Sequence, residues 1–236
     1  MSIDAQGVVR AFAKAAEISR EHRAETLYKP TIIISRGMGC RGDEIARELG
    51  RRLGLDVYGS EILDEVARLA KVDKKLLSSL HEFAGQPSDA WLYATFFGQN
   101  VSRNDYLNHL VATVRGLHRM GGILLGRGAY IILENRPILR VRIAGTVEIC
   151  AARVAEEDGI SFETAKRKVL QSNHKRGRFV WDLFRRRLND PVNFDLVINS
   201  DKLHGSIGPT VDVILTMLKA TGLDRPQPAE PLVANE

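Results

Sequence analysis

The chain is poor in cysteine, with only Cys40 and Cys150 among 236 residues. Two thiols cannot form a disulfide framework, and they read as free thiols, one of them buried, in a reducing compartment. No uninterrupted run of about 18 apolar residues occurs, which excludes a membrane-spanning helix. The stretch MSIDAQGVVRAFAKAAEISREHR alternates apolar and charged residues and lacks the apolar centre of a secretory signal. The six histidines show no metal-ligand spacing, so no zinc site is expected. No internal repeat is visible. These absences leave a soluble, cytoplasmic protein.

The hydrophobic content is 44%, enough for one substantial core, and an α/β domain with an inserted lid fits the length. The formal charge is +5 and the pI is about 9.3, a balance that suits polyphosphate ligands or nucleic acid. Nine basic residues lie between Lys166 and Arg187. Such a cluster fits a lid that grips phosphates, and equally a solvated helix face. Nucleic-acid binding is the weaker reading, because only Phe179, Trp181 and Phe184 interleave with the charges and no nucleic-acid motif is present.

Residues 1–29 read as an amphipathic helical arm that packs on the body or on a second copy in a homodimer. Thr31–Ser35 is a short β-branched run, as expected of a buried strand. Arg36–Gly42 brings three glycines in seven residues, and DEIARELGRRLG follows with Ile45, Ala46, Leu49 and Leu53 at helical spacing, acids first and arginines last. Leu55–Tyr58, the apolar run after Gly121, Leu139–Gly145 and Phe194–Ser200 supply further strands, and the 60–120 segment reads as mostly helical with breaks near Gly85 and Gly98. Ser161 is expected to open a helix. Strands alternating with helices predict an α/β fold, a parallel sheet with helices on both faces, over residues 30–221. A lid is expected at about 156–190, and 222–236 as a Pro-rich disordered tail. Ligands of such sheets bind beyond the carboxyl ends of the strands.

Glycines between a buried strand and a helix let backbone N–H groups wrap an anion, with the helix dipole behind them. Gly37 to Gly42 has the glycine spacing of the P-loop formula, but Asp43 and Glu44 stand where Lys and Ser/Thr belong. Gly39-Cys40-Arg41 is an alternative inner turn, and neither frame contains a lysine. Arg36 and Arg41 could restore the positive charge. An ordinary βα turn with Asp43 and Glu44 at the helix start has the same composition.

Five segments carry a resemblance. They are Ile34-Ser35-Arg36-x-x-Gly39-Cys40-x-Gly42-x-Glu44-Ile45-Ala46; Gly54-Leu55-x-Val57-Tyr58 with Glu61-Ile62-Leu63; Leu125-Gly126-Arg127-Gly128-Ala129; Arg140-Val141-Arg142-Ile143 with Arg153; and Asp190-Pro191-x-Asn193-Phe194-Asp195-Leu196. In this order, from about Thr31 to Leu218, they resemble the cytidylate kinase-like family. The departures are Cys40 for Ser, Arg41 for Gly, Asp43 for Arg, Gly59-Ser60 for Asp-Arg, and Gly128 where a true cytidylate kinase has Asp.

The resemblance implies a P-loop NTPase-type sheet with a helical lid insertion, and ATP-dependent phosphoryl transfer to a nucleoside monophosphate, CMP or dCMP. The donor phosphates would lie on Arg36, Gly37, Gly39, Cys40, Arg41, Gly42, Asp43 and Glu44. A Mg²⁺ would bridge them, its protein ligand unassigned, with Asp43 or Glu44 as stand-in carboxylates. Arg127 would contact the acceptor, and Arg176 and Arg178, flanking Gly177 where a lid would bend, would neutralise the transferring group. Arg185–Arg187 read as solvated, and Trp91, Tyr93, Phe96 and Phe97 as core. A non-catalytic nucleotide- or anion-binding protein that keeps the kinase fold is the alternative, favoured by the missing lysine.

Overall fold

The computed structural model describes residues 29–61, 63, 64, 101–203 and 205–226, with side chains of the helix that begins at Val101 described from Tyr106 onward. The arm, the breaks near Gly85 and Gly98, the aromatic cluster Trp91–Phe97 and the chain beyond 226 lie outside those residues.

Five strands form one parallel sheet in the order β2-β3-β1-β4-β5: β1 (Thr31–Arg36), β2 (Val57–Tyr58), β3 (Gly122–Leu125), β4 (Leu139–Ala144) and β5 (Leu196–Asn199). The helices are α1 (Gly42–Leu53), α2 (Val101–Met120), α3 (Ala129–Ile132), α4 (Val147–Asp158), α5 (Phe162–Phe184) and α6 (Gly208–Ala220). All six residues of β1 are buried, because it is the middle strand and helices cover both faces. Its side chains alternate between two cores. Ile33 joins Tyr58, Leu110, Leu124 and Phe184 on one face, while Ile32 and Ile34 join Ile45, Leu49, Val141, Val154 and Ile214 on the other. The pairing Ile34↔Leu125 with β3 and Arg36↔Ile143 with β4 brings three carboxyl ends to one edge.

Helix α1 buries Ile45, Ala46 and Leu49 and ends at Gly54, whose N–H donates to the Gly50 carbonyl. The Leu55 N–H also donates to Gly50 O, at 2.9 Å, so β2 is only Val57–Tyr58 rather than the expected Leu55–Tyr58. As expected, Ser161 is the N-cap of α5, its side chain accepting from the Thr164 N–H. The Asp190–Leu196 stretch has a structural use: Asp195 accepts from the Arg140 backbone N–H at 2.7 Å and pairs with its guanidinium at 2.6 Å, tying β5 to β4.

The predicted bend at Arg176-Gly177-Arg178 is absent. Helix α5 runs unbroken through these residues and ends at Arg185, which adopts φ 54°. One helical glycine costs only about 1 kcal/mol, and the burial of Ala165, Val169, Val180 and Phe184 along α5 outweighs it. The chain reverses instead at Gly159, φ 65°, between α4 and α5. No helix among the described residues is long and apolar enough to cross a membrane.

His118, near the end of α2, sits 3.0 Å from Thr31 Oγ1 at the start of β1. Burial, reinforced by Arg136 and Arg119, pushes its pKa from the usual 6.5 down to about 4. Between those values the unfolded chain binds a proton that the folded protein refuses, so stability falls as the pH falls. We expect a loss of roughly 2–3 kcal/mol between pH 7 and 4.5 from this group. Urea denaturation across that range should show it, and His118→Gln should remove that part of the dependence.

Candidate nucleotide site

The carboxyl end of β1 leads directly into the glycine loop. Gly37 N–H continues the ladder to Ile143 O at 3.2 Å, and Gly39 then turns with φ 74°. A Cβ on Gly39 would lie 2.5 Å from the Cys150 carbonyl oxygen, so this glycine is what lets α4 approach the loop. Arg41 is left-handed at φ 59° and is the N-cap of α1, with no side-chain cap bond. The amides of the first turn of α1 are therefore uncapped, as an anion site requires.

The loop charges are arranged as two pairs. Arg36, buried, holds Asp43 at 2.8 Å, and Arg41 holds Glu44 at 2.9 Å. Each acid that replaces the P-loop Lys or Ser/Thr is thus matched by an arginine of the loop. Glu44 raises the pKa of Arg41. The α5 side chain Asn173 also reaches the loop, its Oδ1 accepting from the Met38 N–H at 3.0 Å and from Arg176 at 3.4 Å.

Both cysteines are buried, where one was expected. Their Sγ atoms are 3.3 Å apart. The hydrogen bond from Cys150 lowers the pKa of Cys40, with Ser200 and Arg142 adding to it, and the same hydrogen bond raises Cys150.

On the α4 side of the loop is an open cleft of about 590 Å³ lined by Gly39, Arg41, Asp43, Glu44, Arg153 and Glu156 among others, within the ~300–1,000 Å³ typical of small-molecule sites. Arg153 spans its floor, donating to Gly39 O at 3.3 Å and to Ser200 O at 2.7 Å. Among the described residues no group of three or more His, Cys, Asp or Glu side chains could hold a metal. Mg²⁺ needs only one or two carboxylates when phosphates supply the other ligands. Asp43, with 57% of its side chain exposed, has carboxylate surface left for that part.

On the other side of β1, Arg127 follows β3 with φ 52°. Its Nε donates to Asp64 Oδ1 at 2.6 Å and its Nη2 pairs with Asp64 Oδ2. Tyr106 donates to the same carboxylate at 2.7 Å, and the guanidinium stacks 4.8 Å above the Phe179 ring. A cavity of about 40 Å³ here is lined by Arg127, Arg36, Arg176, Ser35, Ser60 and Tyr130 among others. Arg176 therefore joins Arg127, whereas Arg178 does not. Residues two apart on a helix point to opposite sides, and Arg178 stands exposed beside Asp182. Arg185–Arg187 are exposed, as expected.

Three residues were given no site role by the sequence reading. Asp64 lies in a segment without a motif. Asn173 sits in a helix read only for its charge. Arg142, on β4, donates to Ser35 Oγ at 2.9 Å and to Asn189 Oδ1 at 2.8 Å. The signal for Arg142 was a cation in the last half of a buried strand, next to the ligand edge. Gly128 also has a reason: a Cβ there would lie 2.3 Å from Phe184 Cε2, so the Asp of the resembled pattern has no room.

The sheet order, with a glycine loop after the central strand and a ligand-sized cleft beside it, defines a kinase-type P-loop fold. The profile of the cytidylate kinase-like family matches residues 31–202, and the chain belongs to that family. An uncharacterized protein from Eubacterium ventriosum is similar in fold, with a TM-score of 0.61 at 20% identity over 82% of this chain and 99% of that one. A sugar kinase from Janibacter sp. gives a TM-score of 0.46 at 12% identity over 84% of this chain and 100% of that one. A shikimate kinase from Bacteroides thetaiotaomicron gives 0.42 at 16% over 80% and 98%. No curated protein matches the chain.

Two glycine substitutions test the loop and the unbroken α5 helix. Gly39→Ala meets a backbone carbonyl in a left-handed conformation and should destabilise by roughly 2 kcal/mol or more. Gly177→Ala meets nothing within 4 Å and should stabilise α5 by about 0.5–1 kcal/mol. Urea midpoints of the two variants should therefore move in opposite directions.

Proposed function

We propose that the protein transfers the γ-phosphoryl group of ATP to a nucleoside monophosphate, with CMP or dCMP as the acceptor. The observation that carries this reading is the placement of a ligand-sized cleft and a small arginine-lined cavity on either side of one strand end. The uncapped start of α1 borders the 590 Å³ cleft, and Arg127 and Arg176 converge on the opposite side. ATP, with Mg²⁺ carried on its phosphates, would lie along the cleft. The acceptor would approach Arg127 from the other side. Phosphoryl transfer needs positioning and charge neutralisation rather than a covalent nucleophile, and Arg176 on α5 is the cation available between the two. The α4–α5 pair would serve as the lid. The preference for cytidylate rests on family membership alone, since Gly128 cannot supply an acid to read the base. Free nucleotides as substrates fit a cytoplasmic location.

A non-catalytic nucleotide-binding protein is the second reading. It is favoured by the two loop arginines being matched by Asp43 and Glu44 and by Asn173 holding the Met38 N–H.

A coupled assay with ATP and CMP, dCMP, UMP or AMP separates the two. We expect turnover with CMP or dCMP, and a fall of ~10²–10³-fold in kcat for Arg176→Ala with little change in ATP affinity. Arg178→Ala should leave kcat unchanged. ATP binding without turnover on any acceptor would establish the second reading, and preference for AMP would remove the cytidylate assignment.

A further inference from the structure

The small cavity between β1, α3 and α5 is lined by a residue whose buried polar group no described residue satisfies. Tyr130 is 3% exposed, lines the cavity, and its hydroxyl has no hydrogen-bond partner among the described residues. A buried hydroxyl left unpaired costs about 1–3 kcal/mol, so an orphan on a residue that lines a cavity points to a place for a ligand atom. Phe194 packs against the ring, with centroids 4.9 Å apart, and holds it in place.

The charge around this hydroxyl is unbalanced. Arg36 and Arg176 line the same cavity, and Arg142 lies behind it, bonded to the lining residue Ser35. Among the described residues, only Arg36 of these three guanidinium groups has a carboxylate partner, Asp43. Arg142 is satisfied by Ser35 and Asn189, and Arg176 by Asn173, all neutral. Burial lowers the pKa of both Arg142 and Arg176, with Arg36 adding to the effect at Arg176. The groups near them able to carry negative charge are Asp43, already paired, the Cys40 thiol and the Tyr130 hydroxyl itself, and Asp190 is the carboxylate that acts on Tyr130. Two half-buried cations without a carboxylate partner among the described residues, beside a hydroxyl that can donate, are complementary to an anion with several acceptor oxygens.

Size narrows the ligand further. About 40 Å³ is far below the ~300 Å³ of a whole small-molecule site. A nucleoside does not fit, and a neutral base would leave both cations uncompensated. A compact tetrahedral oxyanion meets both conditions.

We propose that Ser35, Tyr130, Arg142 and Arg176 form an oxyanion subsite for the phosphate monoester end of the acceptor, with the Tyr130 hydroxyl as a positioning donor. This rests on the phosphoryl-transfer reading for the identity of the ligand, but not for the existence of the subsite. The acceptor enters phosphate first, and its nucleoside remains outside, towards Arg127 and Ser60. Tyr130 thereby selects acceptors that carry a phosphate over free nucleosides.

Tyr130→Phe tests this, because it keeps the ring and deletes only the orphan oxygen. Inorganic phosphate is titrated into wild type and variant by calorimetry, alone and with a non-hydrolysable ATP analogue present to occupy the donor cleft. The variant should bind phosphate roughly tenfold more weakly in both conditions, bind the analogue unchanged, and melt at the same or a higher temperature. In the coupled assay its KM for CMP should rise with the KM for ATP unchanged. Arg142→Gln should weaken phosphate in the same way. Equal phosphate affinity in wild type and Tyr130→Phe overturns the proposal. So does a lower melting temperature with unchanged affinity, which would give the hydroxyl a structural, water-bridged role. Analogue binding without any phosphate binding in the wild type removes the subsite and leaves the donor reading intact. Phosphate binding that depends on Tyr130, with no turnover on any acceptor, retains the subsite and removes the kinase reading.

Discussion

Everything at the site depends on β1 being the middle strand of a parallel sheet. Its residues are buried on both faces, and its two neighbours run in the same direction. The loop after it must therefore leave the sheet at one point, flanked by the ends of β3 and β4. That constraint delivers Arg36, Gly126 and Ile143 to one edge. It also leaves the first amides of α1 facing a cleft. Gly39 allows the close approach of Cys150 that packs α4 beside the loop, and Arg153 fastens the same loop to Ser200.

The electrostatics then follow from a substitution of means. A loop with a lysine would carry its own positive charge. Here the loop carries two acids, and its two arginines are matched to them. The positive charge available to a ligand is moved away from the loop, to Arg142 on β4 and Arg176 on α5. On the proposed reading, anion binding would require three separate elements in register, with α5 part of the site rather than a cover over it. Asn173 links that helix to the loop through the Met38 N–H. The contact holds the loop ordered, and it occupies a donor that a phosphate would otherwise use.

The α5 helix shows how packing overrides local signals. A glycine between two arginines suggested a turn, yet the helix continues for two further turns. Its core contacts lie at Val180 and Phe184, beyond the glycine. Phe184 in turn occupies the space above Gly128. The loss of an acid at that position and the length of α5 are thus one feature seen from two sides.

By itself the sequence determined the alternation of strands and helices, the parallel sheet, the glycine loop and the family. These depend on local periodicity, on β-branched runs and on glycine spacing, all of which are written in adjacent residues. The N-cap at Ser161 and the helix start at Asp43 and Glu44 were legible for the same reason. The tertiary structure alone decided which charges meet. Arg36 and Arg41 were read as cations for a ligand, and the fold pairs them with Asp43 and Glu44. Arg176 and Arg178 looked equivalent, and helical geometry sends one to the cavity and the other to solvent. Asp64, Asn173, Tyr130 and Arg142 come from four distant parts of the chain, and no spacing rule connects them. Their roles come from contacts across the sheet edge, and such contacts exist only once β1, β3 and β4 are side by side with α5 packed against them.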